Sequence, residues 1–337
     1  MGIQLGPLLE TRKIKVEELS GQRVAIDGFN VLYQFLTSIR QADGSLLTDP
    51  KGRVTSHLSG ILFRFSKLVE KGLKLCIVFD GKPPALKKNL LEQRRRRKIK
   101  AQIEWEAAIE AGDTETARTK AQQTTRLESH MINESKKLLD LLGIPWVDAP
   151  SEGEAQVASL LNQGMVDYAA SQDFDTVLFG ASKFIRNLTL SGRRKLPKQQ
   201  KWVEVSPEII DLEMSFQKLE LNREQLIDVA ILMGTDFNPG IDGVGPKRGL
   251  KLIQEFGKAE GALEKLGKEI KNLDEIRSLF LEHPFVDFNP EWKTPNVEST
   301  LSYLCDDFSF NKERVKKALE KFVEAKPRAR QFTLGDF

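Results

Sequence analysis

The sequence predicts an α/β protein with a mostly parallel central sheet and helices on both faces. Three observations carry this. Two short apolar runs, Arg23-Val24-Ala25-Ile26-Asp27 and Leu73 to Asp80, each end in aspartate. Between them, Val54 to Lys71 places Leu58, Ile61, Leu62, Phe65, Leu68 and Val69 at helical spacing. Strand, helix, strand at this spacing is a βαβ unit, which implies parallel pairing with a right-handed crossover. Downstream, Pro145-Trp146-Val147, Met165 to Ala170 and Thr176 to Phe179 read as further short strands, with a helix from Ser151 to Leu161 among them.

The remaining elements follow in order. Leu86 to Leu142 is long, highly charged and helix-prone, with no proline and a single Gly112. It is too polar to be core throughout and reads as a helical insertion projecting from the sheet. Leu221 to Phe256 predicts a compact unit. Gln225, Leu226, Val229, Ala230 and Met233 belong to one helix, Asp236 to Gly245 is a turn-rich loop, and Pro246 opens a second helix through Gln254. Pro284 to Ala325 is expected to be mostly helical, and the chain from Lys326 onward reads as a tail.

The 337 residues, 40% hydrophobic, suffice for a sizeable core. Cys76 and Cys305 lie far apart and read as reduced thiols, and three histidines without a Cys/His cluster indicate no zinc site. No apolar run reaches the ~18 residues of a membrane span, and the N-terminus lacks the pattern of a secretory signal. A cytoplasmic protein is expected. The net charge of +3 hides a segregated distribution. Lys87 to Lys100 holds eight Lys/Arg and one Glu, and Thr176 to Val203 holds seven Lys/Arg and no acid. Basic surfaces for a polyanion beside separate acidic sites are the implication.

The acids stand mostly at element ends. Asp27 and Asp80 close strands, and ligands of open α/β sheets bind outside those carboxyl ends. Each is also read as a turn or cap residue. Glu152 and Glu154 begin a helix, and Ser151 with Glu154 has the capping-box spacing, so Glu154 has a structural reading beside a ligand one. Asp173 and Asp175 sit at i, i+2 in a loop, where an Asx turn is the plain alternative. Asp236 follows a helix. Seven such carboxylates in a basic protein suit phosphodiester hydrolysis with two Mg²⁺ ions about 3.5–4 Å apart. Magnesium takes carboxylate oxygens and keeps waters. Without cations the cluster would repel itself.

The strings Val24-Ala25-Ile26-Asp27, Val78-Phe79-Asp80-Gly81-Lys82-Pro83-Pro84, Pro150-Ser151-Glu152-Gly153-Glu154-Ala155, Ser171-Gln172-Asp173-Phe174-Asp175 and Gly234-Thr235-Asp236 resemble the structure-specific 5′ nuclease family, and within it flap endonucleases of archaeal type. The resemblance spans essentially the whole chain. It implies a nuclease domain over 1–325. This comprises an N-terminal region 1–100, a helical arch over 86–142, and an internal region 143–256 with a helix–two-turn–helix at 221–256. Residues 326–337 would be a clamp-binding tail. The resemblance implies cleavage near the base of 5′ flaps in DNA replication and repair, with 5′-3′ exonuclease activity.

The same resemblance implies residue roles. Asp27, Asp80 and Glu152 would hold one Mg²⁺, and Asp173 and Asp175 the other. Glu154 would lie between them, and Asp236 would act through water. Lys87 and Arg94 would neutralise the scissile phosphate. Tyr33 matches an aromatic on which a base stacks, and helix core is its other reading. Arg95 to Lys100 would belong to the arch, and Thr55-Ser56-His57 resembles the region that receives the 3′ flap. His57 reads equally as a helix-surface residue. Gly243 and Gly245 would bring backbone amides to a DNA phosphate, aided by Lys247 and Arg248. The carbonyls of Gly240, Ile241 and Val244 would bind K⁺. Gln331, Leu334 and Phe337 match the box that binds the replication sliding clamp (proliferating cell nuclear antigen), without its usual second terminal aromatic. A monomer is expected. A non-catalytic clamp-tethered scaffold and a sister exonuclease or bubble nuclease are the competing readings.

Overall fold

The computed structural model describes residues 3–41, 43–113, 116, 119–121, 124–190, 192–195 and 202–324. Nine strands are described: β1 (Thr11–Lys13), β2 (Arg23–Asp27), β3 (Lys74–Phe79), β4 (Trp146–Asp148), β5 (Tyr168–Ala170), β6 (Lys183–Arg186), β7 (Gly192–Lys195), β8 (Trp202–Val205) and β9 (Glu208–Asp211). Seven form one sheet in the order β1-β9-β6-β5-β2-β3-β4, and β7-β8 is a separate antiparallel hairpin. From β6 to β4 the sheet is parallel. The β1 and β9 pairings at the other edge are antiparallel.

The two aspartate-ended runs lie side by side as expected, with Val24 opposite Leu75 and Ile26 opposite Ile77. Alternate residues of these strands enter opposite cores, because side chains on a strand alternate between faces. Ala25, Cys76, Val78, Ala169 and Phe184 pack on one side with the helices Gly153–Asn162 and Arg223–Met233. Val24, Ile26, Leu75, Ile77 and Ile185 pack on the other. There they meet the helices Gly28–Ser38, Ser129–Leu142 and Lys312–Glu324 and the run Ser56–Glu70, which is helical with a π-helical turn at Ile61–Phe65. Burial on both faces is why these strands read as continuous apolar runs. Cys76 is in the core, and burial pushes its thiol up to about 12.

Several expectations need correction. Thr176 to Phe179 is not a strand but part of a helical turn, Asp175–Leu178; a short apolar run does not distinguish the two. The helix expected from Ser151 starts at Gly153, with Glu152 as its cap. Among the described residues the insertion holds the helix Lys88–Glu110, further helical residues at 116 and 119–121, and then the helix Ser129–Leu142. Its expected extent ends in a core helix, since Met131, Leu138 and Leu139 are buried. The C-terminal part is mostly helical as expected, over Val297–Leu301, Ser302–Asp307 and Lys312–Glu324, but it is entered through an irregular strap from His283 to Asn296. Its Trp292 Nε1 donates to the Leu75 carbonyl at 2.7 Å, and Lys293 N donates to the Gly143 carbonyl at 3.0 Å. Strand β4 pairs only with Ile77 to Phe79, so the strap covers the part of β3 that has no strand neighbour there. Among the described residues no helix is long and apolar enough to cross a membrane.

Candidate active site

The seven acids reach one cleft from five places in the chain. Asp27 ends β2 and Asp80 follows β3. Glu152 and Glu154 stand at the start of the helix Gly153–Asn162, Asp173 and Asp175 follow β5, and Asp236 follows the helix Arg223–Met233. All seven line a cleft of about 2090 Å³ together with Tyr33, Thr55, Lys87 and Arg94. The parallel register explains the convergence: strands running the same way present their carboxyl ends to the same edge.

Local hydrogen bonds fix the acids individually. Asp27 caps the helix Gly28–Ser38, accepting from Asn30 N at 3.0 Å. Asp80 Oδ1 accepts from Gly153 N at 2.7 Å, so this acid satisfies an N-terminal amide of the next helix. The capping box expected between Ser151 and Glu154 is absent. The cap residue is Glu152, it makes no side-chain cap bond, and Asp80 does that work from another strand. A Cβ at Gly153 would lie 2.4 Å from Asp80 Oδ1, and one at Gly81 would lie 2.1 Å from the Ala149 carbonyl, so this corner closes only with glycine at both positions. Asp173 Oδ2 accepts from Asn30 Nδ2 at 3.1 Å, and Asp175 Oδ1 accepts from Ile3 N at 3.3 Å.

Gathering these acids raises their affinity for protons. Burial, then the neighbouring Asp80, pushes Asp27 well above the usual carboxylate range. Burial, then Asp27 and Asp80, does the same to Glu154. Burial and Glu152 lift Asp80 to about 6. Burial, Asp236 and Asp173 lift Asp175 to about 7. Two cations offset part of this repulsion. Lys87 Nζ pairs with Glu152 and stands 3.3 Å from Asp236, and Arg94 Nη2 donates to both Asp236 oxygens at 2.9 and 3.0 Å. Burial draws Lys87 down, but Glu152, Glu154 and Asp236 together more than reverse it, so Lys87 stays charged.

As they stand, no three described His, Cys, Asp or Glu side chains form a ready metal-binding group. Asp27, Asp80, Glu154 and Asp175 are all buried and act on one another's charge across the cleft. Lys87 engages two of the acids in place of a metal. Hard oxygen donors that hold protons because they are buried and repel one another fit a divalent cation, which would offset both effects.

The other expected residues divide. Tyr33 is not helix core: it is 37% exposed, and Lys98 Nζ lies 5.4 Å from its ring centroid. Thr55 is buried in the cleft wall. His57 is wholly buried, not on a helix surface, with Nε2 2.9 Å from Glu134 Oε2. Arg95 is exposed and does not line the cleft, whereas Arg94, Arg97 and Lys98 do. Arg97 and Lys98 are expected from the sequence only as part of the arch run Arg95 to Lys100, although Lys87, Leu91, Arg94 and Lys98 follow a helical spacing of four, three and four that marks one face.

The helix Pro246–Phe256 has Pro246 at its start and Gly245 as its cap, with no side-chain capping bond. Gly243 takes φ +76°, and its carbonyl accepts from Arg248 Nη1 at 3.2 Å, while Lys247 is exposed. Gly240 takes φ +74°, and the Ile241 carbonyl accepts from Val244 N at 3.0 Å. Gln331, Leu334 and Phe337 lie outside the described residues.

Two family descriptions match the chain, the XPG N-terminal domain over residues 1–101 and the XPG I-region over 143–236. The chain is 46% identical over 327 residues to flap endonuclease 1 of Archaeoglobus fulgidus, covering 97% of each. It is 48% identical over 336 residues to flap endonuclease 1 of Methanothrix thermoacetophila, covering 99% of each. Among solved structures it is similar to flap endonuclease-1 from Methanococcus jannaschii, at 40% identity and a TM-score of 0.75, covering 96% of this chain and 98% of that one. The catalytic core of Rad2 in complex with DNA substrate shares the fold, at 24% identity and a TM-score of 0.70, covering 94% and 97%.

Proposed function

Because the chain belongs to the flap endonuclease 1 family, it is a metal-dependent 5′ flap endonuclease acting in DNA replication and repair, and we propose that two Mg²⁺ ions held by its seven carboxylates serve that hydrolysis. The observation that carries this reading is the convergence of those acids on one cleft beside Lys87 and Arg94. Asp27, Asp80 and Glu152 would hold one ion, Asp173 and Asp175 the other, with Glu154 between them and Asp236 acting through water. Bound there, the ions would supply an activated water and stabilise the attacking and leaving oxygens.

The chain's own residues position the DNA. Lys87 and Arg94, now paired with acids, turn to the scissile phosphate as it enters and offset the charge that develops on it. Tyr33 offers a half-exposed ring to the base beside the cut. The helix Lys88–Glu110 forms a basic wall for the 5′ strand, and Thr55 lies where the 3′ flap is received. Gly243, Gly245, Lys247 and Arg248 hold a phosphate of the duplex without reading sequence, and the carbonyls of Gly240, Ile241 and Val244 take K⁺. Residues 331–337 bind the sliding clamp, and the enzyme works as a cytoplasmic monomer on the nucleoid.

The test is cleavage of a double-flap DNA bearing a one-nucleotide 3′ flap, in Mg²⁺ and in EDTA. Cleavage near the flap base in Mg²⁺ alone is expected. Asp175→Ala should bind the same DNA and not cut it; retained cutting would overturn the site assignment. Removing residues 331–337 should leave unaided cleavage intact and abolish its stimulation by the clamp.

A further inference from the structure

Among the described residues, Asn30 bonds the carboxylates of two acids that the proposed function assigns to different ions, one through its backbone and the other through its side chain. It occupies the third position of the helix Gly28–Ser38. Its backbone N–H donates to Asp27 Oδ1 at 3.0 Å, and its side-chain Nδ2 donates to Asp173 Oδ2 at 3.1 Å. The first bond is a helix cap and would form with any residue there. The second is made by the side chain, and it needs a short group with a hydrogen-bond donor at this position. The amide nitrogen must face Asp173, because an ionised carboxylate only accepts hydrogen bonds.

The surrounding geometry makes Asn30 a rigid spacer. The ends of β2 and β5 are neighbours, with Ile26 opposite Ala170, so Asp27 and the loop carrying Asp173 leave the sheet side by side. Ser171 ties the same two segments a second time, donating to Asp27 Oδ2 at 3.4 Å and accepting from Asp173 N at 3.2 Å. Asn30 itself lines the cleft, and its backbone is fixed in the helix that Asp27 caps. Asn30 and Ser171 together therefore set the separation of Asp27 and Asp173, and Asn30 supplies the bond that orients the Asp173 carboxylate.

We propose that Asn30 is a positioning residue that holds the two metal-binding groups in register by orienting Asp173 against Asp27. The inference rests on the proposed two-ion reading. Groups that orient ligands from behind typically contribute roughly 10–100-fold in metal affinity. Asn30 would act through Asp173, leaving that acid one oxygen for the ion and preventing it from swinging away.

The experiment measures Mn²⁺ binding to the DNA-free full-length protein, from the resonance of the free ion, together with the metal concentration that half-saturates flap cleavage. Asn30→Ala and the near-isosteric Asn30→Leu should both weaken Mn²⁺ binding and raise the half-saturating concentration by roughly tenfold or more. Flap-DNA affinity in EDTA should stay within about twofold, and saturating metal should restore much of the rate. Asn30→Ser, which keeps a shorter donor, should fall between them and the wild type. In an Asp173→Ala background, Asn30→Ala should weaken Mn²⁺ binding no further. Wild-type metal binding in Asn30→Leu, or a further loss in the Asp173→Ala background, would overturn the proposal. If Asn30→Ala lowers the melting temperature, the Leu variant and the double variant still decide. A wild-type protein that cuts without metal would instead overturn the proposed function, which keeps the two failures distinct.

Discussion

Lys87 and Asp236 stand 3.3 Å apart while the same ammonium pairs with Glu152, so one side chain at the foot of the basic helix bridges two acids from different elements. Both its partners are nearly buried, and Lys87 is 12% exposed. Lys87→Met should therefore act twice. The rate at saturating metal should fall by roughly 10²–10³, as for loss of a donor aimed at developing charge. The metal-free protein should also lose stability near neutral pH, because two buried acids lose their counter-charge. Single-turnover cleavage and thermal melts in EDTA measure the two effects. A variant that loses stability with an unchanged rate would confine Lys87 to a structural role.

Asp80 and Asp175 titrate at about 6 and about 7 in the fold, above the 3.8 of a free aspartate. Between those values the folded protein holds protons that the unfolded chain has released, so metal-free stability falls as pH rises through that window. Melting temperatures in EDTA should decline from about pH 4 to about pH 7, the span between the free and the raised values. Asp175→Asn should flatten that decline and melt higher than the wild type at the upper end, while losing cleavage. A melting temperature for this variant below the wild type at high pH would contradict the electrostatic account.

The legible parts of the sequence were those whose burial is symmetrical. β2 and β3 are buried on both faces, so their apolar runs stand out, and an aspartate at the end of β2 and just after β3 marks the sheet edge. β1 escaped notice because Thr11, Arg12 and Lys13 are all exposed on an edge strand, and it pairs with β9 over only three residues, Glu208 to Ile210. The seven acids were legible because their segments are local strings. The pairing of Lys87 and Arg94 with Asp236, the substitution of Asp80 for Ser151 at a helix start, and the burial of His57 depend on contacts between distant segments, which spacing does not encode.

Gly153→Ala tests the corner where Asp80 meets the helix start. The added methyl would sit 2.4 Å from Asp80 Oδ1, which must move and release the Gly153 amide. The metal requirement should rise by roughly tenfold, in line with displacement of a ligand's support. Gly81→Ala meets backbone instead of a side chain, 2.1 Å from the Ala149 carbonyl, and should cost stability by about 1–3 kcal/mol as an overpacking change. Metal titrations and denaturant melts separate the two; equal effects in both assays would argue against the distinction.

Lys247 is exposed beside the uncapped start of the helix Pro246–Phe256. Lys247→Ala should weaken flap-DNA binding without sequence preference and reduce the salt dependence of that binding by the equivalent of about one phosphate contact. Binding isotherms over a salt series would show it. An unchanged slope would remove Lys247 from the interface.

The spread of the acids from Asp27 to Asp236 has a consequence for the protein's life in the cell. A ribosome-bound chain that has emerged only through Asp175 carries six of the seven acids but lacks the helix Arg223–Met233 that presents the last one. No fragment on either side of such a break contains the whole cutting apparatus. If the seven acids act together as proposed, competence to cut would arrive only after the helix Arg223–Met233 and the residues that follow it have been made.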